Sequence, residues 1–81
     1  YKQLYYNILI YRTPLKRMGQ KIRDLRNDRA WTLYDMEALT DIDSGDLSKI
    51  ESGHTNSRIY TIYKISRAFE ISIDKLLDFD K

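Results

Sequence analysis

Two helix-start signals lie only eleven residues apart in this chain, and they leave room for little except a pair of short helices joined by a tight turn. The first is Thr32, followed three residues on by Asp35; the second is Asp43, followed three residues on by Asp46. In each, the cap oxygen can accept from a backbone N–H of the first turn, and the acid lies at the positive end of the helix dipole. The second helix of the chain therefore runs from Leu33 to about Leu39, Thr40-Asp41-Ile42-Asp43 makes the turn, and Leu47 and Ile50 give the third helix an inward stripe before Gly53 ends it.

The flanking segments read as helices too, because three glycines and one proline leave few long loops. Thr13-Pro14 has the form of an N-cap with proline at the first helical position, and Leu15, Met18, Ile22 and Leu25 follow at spacings of three and four. This first helix ends near Asp28-Arg29. The polar stretch His54-Thr55-Asn56-Ser57 has no period and reads as a loop, with Asn56 or Ser57 as the next cap. Ile59, Ile62, Ile65 and Phe69, flanked by Tyr63 and Ala68, make a fourth helix. Ser72 or its neighbour starts a short fifth one, whose Ile73, Leu76 and Leu77 face inward. Residues 1–12 stand apart as an extension of the 13–81 domain. Leu4 to Tyr11 is rich in aromatic and β-branched residues, which favours a strand, although Leu4 with Ile8 and Tyr5 with Leu9 are also helical i,i+4 pairs.

Composition closes off other classes. With 81 residues the chain is one small domain that buries about 60% of its unfolded surface. It has no cysteine, hence no disulfide or thiolate zinc site, and its one histidine rules out a histidine-rich metal site. No glycine-rich phosphate loop or metal-ligand cluster is present and the one histidine sits in a polar loop, so the expectation is a non-enzymatic protein without cofactor. The longest unbroken apolar run is the four residues Ile8 to Tyr11, too short to span a membrane, and the lack of cysteine is compatible with a reducing cytoplasm, the expected location. The net charge of +2 hides an asymmetry: residues 1–30 carry +6, residues 31–57 carry −5, and residues 58–81 carry +1.

Two helices of about eight residues with a short turn form a helix-turn-helix unit, whose second helix fits the DNA major groove. Residues 18–77 resemble the lambda-repressor, Cro and controller-protein family of helix-turn-helix regulators, the XRE family. The resemblance rests on Gly19, Ile22, Arg23, Leu25 and Arg26 in the first helix and on Thr32, Met36, Leu39, Thr40, Ile42 and Leu47 in the motif. It continues through the run Ser48-Lys49-Ile50-Glu51-Ser52-Gly53, then Thr61 to Ile65 and Ile71 to Leu77. It implies an all-α, five-helix, lambda-repressor-like domain. The chain departs from the family pattern at Leu33, where a phosphate-gripping glutamine is usual, at Glu37, where a small alanine is usual, and at Asp41 and Glu70, where glycine is usual.

The same resemblance implies a site. Its recognition helix, about residues 43–51, would reach base edges with Ser44, Gly45, Ser48 and Lys49. Lys49 is the long cation among them and can donate to guanine O6 and N7. Asp46 could accept from cytosine N4, but as an acid at a helix start it reads first as a dipole complement. Phosphates would be held by Thr32 and Leu33 at the start of the second helix and by His54, Thr55, Asn56, Ser57 and Arg58 around the loop. Arg26 and Glu51 correspond to a structural salt bridge. The expected partner is double-stranded DNA, bound by a homodimer on an inverted repeat with half-sites about 34 Å apart, as a sequence-specific transcriptional regulator. Residues 1–12, or the fifth helix with Phe79, would supply the dimer contact. The first helix, in the basic first third, and the loop to the fourth helix would supply attraction, and the few side chains of the third helix choice. The alternative is an antitoxin or protein-interaction module that kept the fold with weak or no DNA binding, favoured by the acidic middle segment and Leu33.

Overall fold

A computed structural model describes the backbone of residues 2–78 and the side chains of residues 14–78. It contains helices α1 (Lys2–Asp28), α2 (Leu33–Thr40), α3 (Ser44–Glu51), α4 (Ile59–Ala68) and α5 (Ile73–Leu76), and no strand among the described residues. The strand favoured for the leader and the N-cap at Thr13 are both corrected: α1 is continuous from residue 2, with Pro14 inside it. A helix already nucleated in the body gains a hydrogen bond for each residue added, whereas a lone strand has no ladder to join. The i,i+4 pairs fit this outcome, which carries a cost at Pro14, since proline inside a helix deletes one N–H donor and its ring crowds the carbonyl four residues back. Phe79 and the leader side chains lie outside the described residues.

The apolar stripes converge on one core of Met18, Ile22, Met36, Ile42, Leu47, Ile50, Ile62, Ile65, Phe69 and Leu76, against which Leu15, Leu25, Trp31, Leu33 and Ile71 pack. Each such side chain contributes about 1.5–3 kcal/mol on burial. α1 lies against α3 and α5, α2 against α3 and α4, and α4 against α5. Two residues read as inward facing do not go there. Ile59, the first residue of α4, is 69% exposed, and Leu77, just past α5, is 39% exposed. Both sit at helix ends, where the stripe has run off the body.

The α1–α3 crossing depends on two glycines. A Cβ on Gly19 would fall 2.4 Å from the carbonyl oxygens of Ile50 and Glu51. One on Gly53 would fall 2.8 Å from the Lys16 Cα, and Gly53 also has φ 75°. There the Gly53 N–H donates to the Ile50 carbonyl and the His54 N–H to the Lys49 carbonyl, a Schellman closure of α3. Thr32 and Asp35 form the expected reciprocal capping box on α2. At α3 the Asp43 carboxylate accepts from Gly45 N–H at 2.9 Å. At α4 the expected cap is corrected, because neither Asn56 nor Ser57 caps it: Arg58 occupies the cap position and makes no side-chain cap bond.

Candidate nucleic-acid interface

α3 is held from both ends. At its C-terminal end Glu51 is buried, and its carboxylate takes two bonds from Arg26, Nε to Oε2 at 2.7 Å and a terminal guanidinium nitrogen to Oε1 at 3.0 Å. Arg26 also donates to the Trp31 carbonyl at 2.8 Å, so one guanidinium joins α1, the α1–α2 loop and α3. The bond to Glu51 pushes the Arg26 pKa up, with the charge of Glu51 adding to it against the cost of burial. Arg23 adds a longer contact to Glu51 at 3.4 Å.

The N-terminal end is held by a residue that sequence reasoning treated only as a departure. Glu37 on α2 accepts from the Ser44 N–H at 2.7 Å. With Gly45 N–H bound to Asp43, the first two donors of α3 are both occupied by carboxylates of the protein itself. An i,i+7 contact across a turn has no period to reveal it in the sequence.

From this support α3 presents Gly45, Ser48 and Lys49 to solvent, on one face at helical spacing, with Ser44 half-buried beside Glu37. Beyond Gly53, a groove of about 400 Å³ opens between α3 and α4, lined by Lys49, Thr55, Asn56, Ser57, Arg58 and Asp46 among others. Ser57 Oγ is buried there without a hydrogen-bond partner. The uncapped first turn of α4 offers its N–H groups beside Arg58, an arrangement that suits an anion. Asp46 lies in the same groove and opposes it. His54 is exposed, its Nδ1 2.9 Å from the Ser52 hydroxyl.

Thr32 stands apart at the start of α2. Its hydroxyl accepts from Asp35 N–H and its own N–H donates to the Asp35 carboxylate, which leaves the N–H groups of Leu33 and Tyr34 without a helical acceptor. This end is fixed by Arg29, whose guanidinium lies 5.5 Å from the Trp31 ring centroid and 4.9 Å from that of Phe69. The two rings are stacked at 5.7 Å, and Arg29 also donates to the Leu25 and Phe69 carbonyls. Part of the charge expected to draw DNA toward α1 is thus committed to contacts within the protein, while Lys16 and Arg17 are exposed. Arg23 and Arg26 serve Glu51, Arg29 serves the aromatic stack, and Lys21 donates to the Lys75 and Asp78 carbonyls at 2.9 Å each. Among the described residues no group of acidic or histidine side chains could hold a metal ion, and no helix is long and apolar enough to cross a membrane.

The comparisons with known proteins agree on the architecture. A family model described as "Helix-turn-helix domain" matches residues 19–78. The restriction-modification controller protein C.AhdI from Aeromonas hydrophila superposes with a TM-score of 0.74 at 26% identity, covering 76% of this chain and 94% of that one. The clp gene regulator ClgR from C. glutamicum gives 0.72 at 22% identity, covering 79% and 83%. A transcriptional regulator of the HTH_3 family from Vibrio cholerae gives 0.75 at 24%, covering 89% of this chain and 39% of its own. No curated protein matches the chain in sequence.

Proposed function

Because this chain belongs to the helix-turn-helix domain family, in its lambda-repressor-like branch, we propose that it is a DNA-binding transcriptional regulator that reads a specific sequence with α3 in the major groove. The observation that carries this reading is the pairing of an exposed Ser48–Lys49 face with the uncapped, Arg58-flanked start of α4 across one groove. Lys49 donates to guanine acceptors, Ser44, Gly45 and Ser48 complete the base contacts, and Thr32, His54, Thr55, Asn56, Ser57 and Arg58 hold phosphates. In this reading the chain acts in the cytoplasm as a homodimer on an inverted repeat and needs neither cofactor nor enzymatic chemistry. Residues 1–12 form the assembly element and residues 13–81 the DNA-binding domain. The regulatory roles carried in the names of the neighbouring proteins point the same way.

A second reading, an antitoxin or interaction module with a toxin or other protein partner, is favoured by one observation: Leu39, Tyr60 and Tyr63 are exposed on α2 and α4. Fluorescence titration with duplexes selected from a random library separates the two. Binding at about 50 mM salt that weakens steeply as salt rises supports the regulator, and undetectable binding there removes it, because phosphate contacts are strongest at low salt.

A further inference from the structure

We propose that Glu37 is the positioning residue of the reading helix, holding the start of α3 across the turn so that Ser48 and Lys49 meet base edges in one register. This rests on the reading of the chain as a sequence-specific DNA binder. The Glu37 side chain accepts from Ser44 N–H at 2.7 Å, and its backbone carbonyl accepts from Asp41 N–H at 2.8 Å. One residue therefore ties down both the last turn of α2 and the first turn of α3. Between those ties the turn is also closed. Asp41 has φ 58°, and the buried Thr40 hydroxyl donates to the Met36 carbonyl and accepts from Ile42 N–H.

The consequence for reading follows from leverage. α3 is pinned at its C-terminal end through Glu51, from which Ser48 lies three residues, about 4.5 Å, and Ser44 seven residues, about 10 Å, along the axis. A tilt of α3 by about 10° about that end moves Ser48 by about 0.8 Å and Ser44 by about 2 Å, more than the roughly 0.5 Å within which recognition groups need to be held. Occupying the Ser44 and Gly45 donors with carboxylates also makes the start of α3 unfit for an anion. Phosphate binding is thereby left to the starts of α2 and α4, and α3 is left to the bases.

The test uses three substitutions in the full chain. Glu37→Gln keeps an acceptor of the same reach without the charge, Glu37→Asp keeps the charge but is one methylene short, and Glu37→Ala keeps neither. The probes are a duplex selected by the wild-type chain from a random library and a duplex of scrambled sequence. Ser44 amide hydrogen exchange is read by NMR without DNA. Glu37→Ala and Glu37→Asp should each lose about fivefold to tenfold on the selected duplex, with the scrambled one unchanged, and should exchange the Ser44 amide faster by a similar factor. Glu37→Gln should stay within about twofold of wild type in both. Equal losses on both duplexes, an unchanged Ser44 exchange in Glu37→Asp, or a Gln variant as impaired as the Ala variant would each overturn the proposal. If Glu37→Ala does not fold, the Gln and Asp pair decides. A wild-type chain that selects no duplex removes the DNA reading itself, while Ser44 exchange still judges the cap.

Discussion

The Arg26–Glu51 pair shows why a single side chain can govern this domain. Its carboxylate is nearly without solvent access, and Arg26 supplies two of its bonds. Arg26→Ala leaves that charge buried with only the longer Arg23 contact, and the expected loss is about 3–5 kcal/mol in urea unfolding. Replacing both residues by Met and Leu should recover most of it, since two buried charges vanish together. A single variant as stable as wild type would show that water reaches Glu51. Lys49 is the opposite case, exposed and without a structural task. Lys49→Ala should leave the unfolding midpoint within about 0.5 kcal/mol of wild type while removing about 1–3 kcal/mol of binding to the selected duplex only. Equal loss on scrambled DNA would make it a phosphate contact.

At the scale of elements, helix ends carry the strain. α1, α3 and α4 all close with Schellman bonding, but only α3 has glycine at the left-handed position; α1 uses Ala30, φ 56°, and α4 uses Glu70, φ 59°. Glu70→Gly should therefore raise stability by about 1 kcal/mol in thermal unfolding, because relief of the αL penalty exceeds the added freedom of the unfolded chain. No gain would mean that the Glu70 side chain contributes a compensating contact. The same elements show what a sequence discloses. Thr32, Asp43 and Ser72 were legible as caps, and the stripes through Ile22, Leu47 and Ile65 as core, because both signals are local and periodic. The leader was not legible, since aromatic and β-branched residues favour a strand by propensity, and helix continuity from the body is not a local property. Glu37 and Lys21 were not legible as supports either, because their partners lie across a turn and at the other end of the chain.

For the whole molecule, the decisive quantity is where charge points, which the net +2 conceals. Arg58 and Lys21 are each one cation, and deleting either changes the net charge equally. Yet Arg58 is exposed at the uncapped start of α4, while the Lys21 ammonium is committed to the carbonyls of Lys75 in α5 and Asp78 just beyond it. Counterion release counts only cations that reach a phosphate, about 0.9 in the logarithmic salt slope for each. Arg58→Ala should therefore flatten the slope by about one unit and weaken selected and scrambled duplexes alike. Lys21→Ala should leave the slope unaltered, because its ammonium is held by two carbonyls, outside the groove lined by Lys49 and Arg58, and does not reach a phosphate there. Its effect should fall on stability, as loss of the tie between α1 and the segment after α5. Titrations of both variants between about 50 and 200 mM salt check this directly. Equal flattening by the two would mean that DNA senses only total charge, and the division of labour between a reading helix and a separate phosphate seat would not hold.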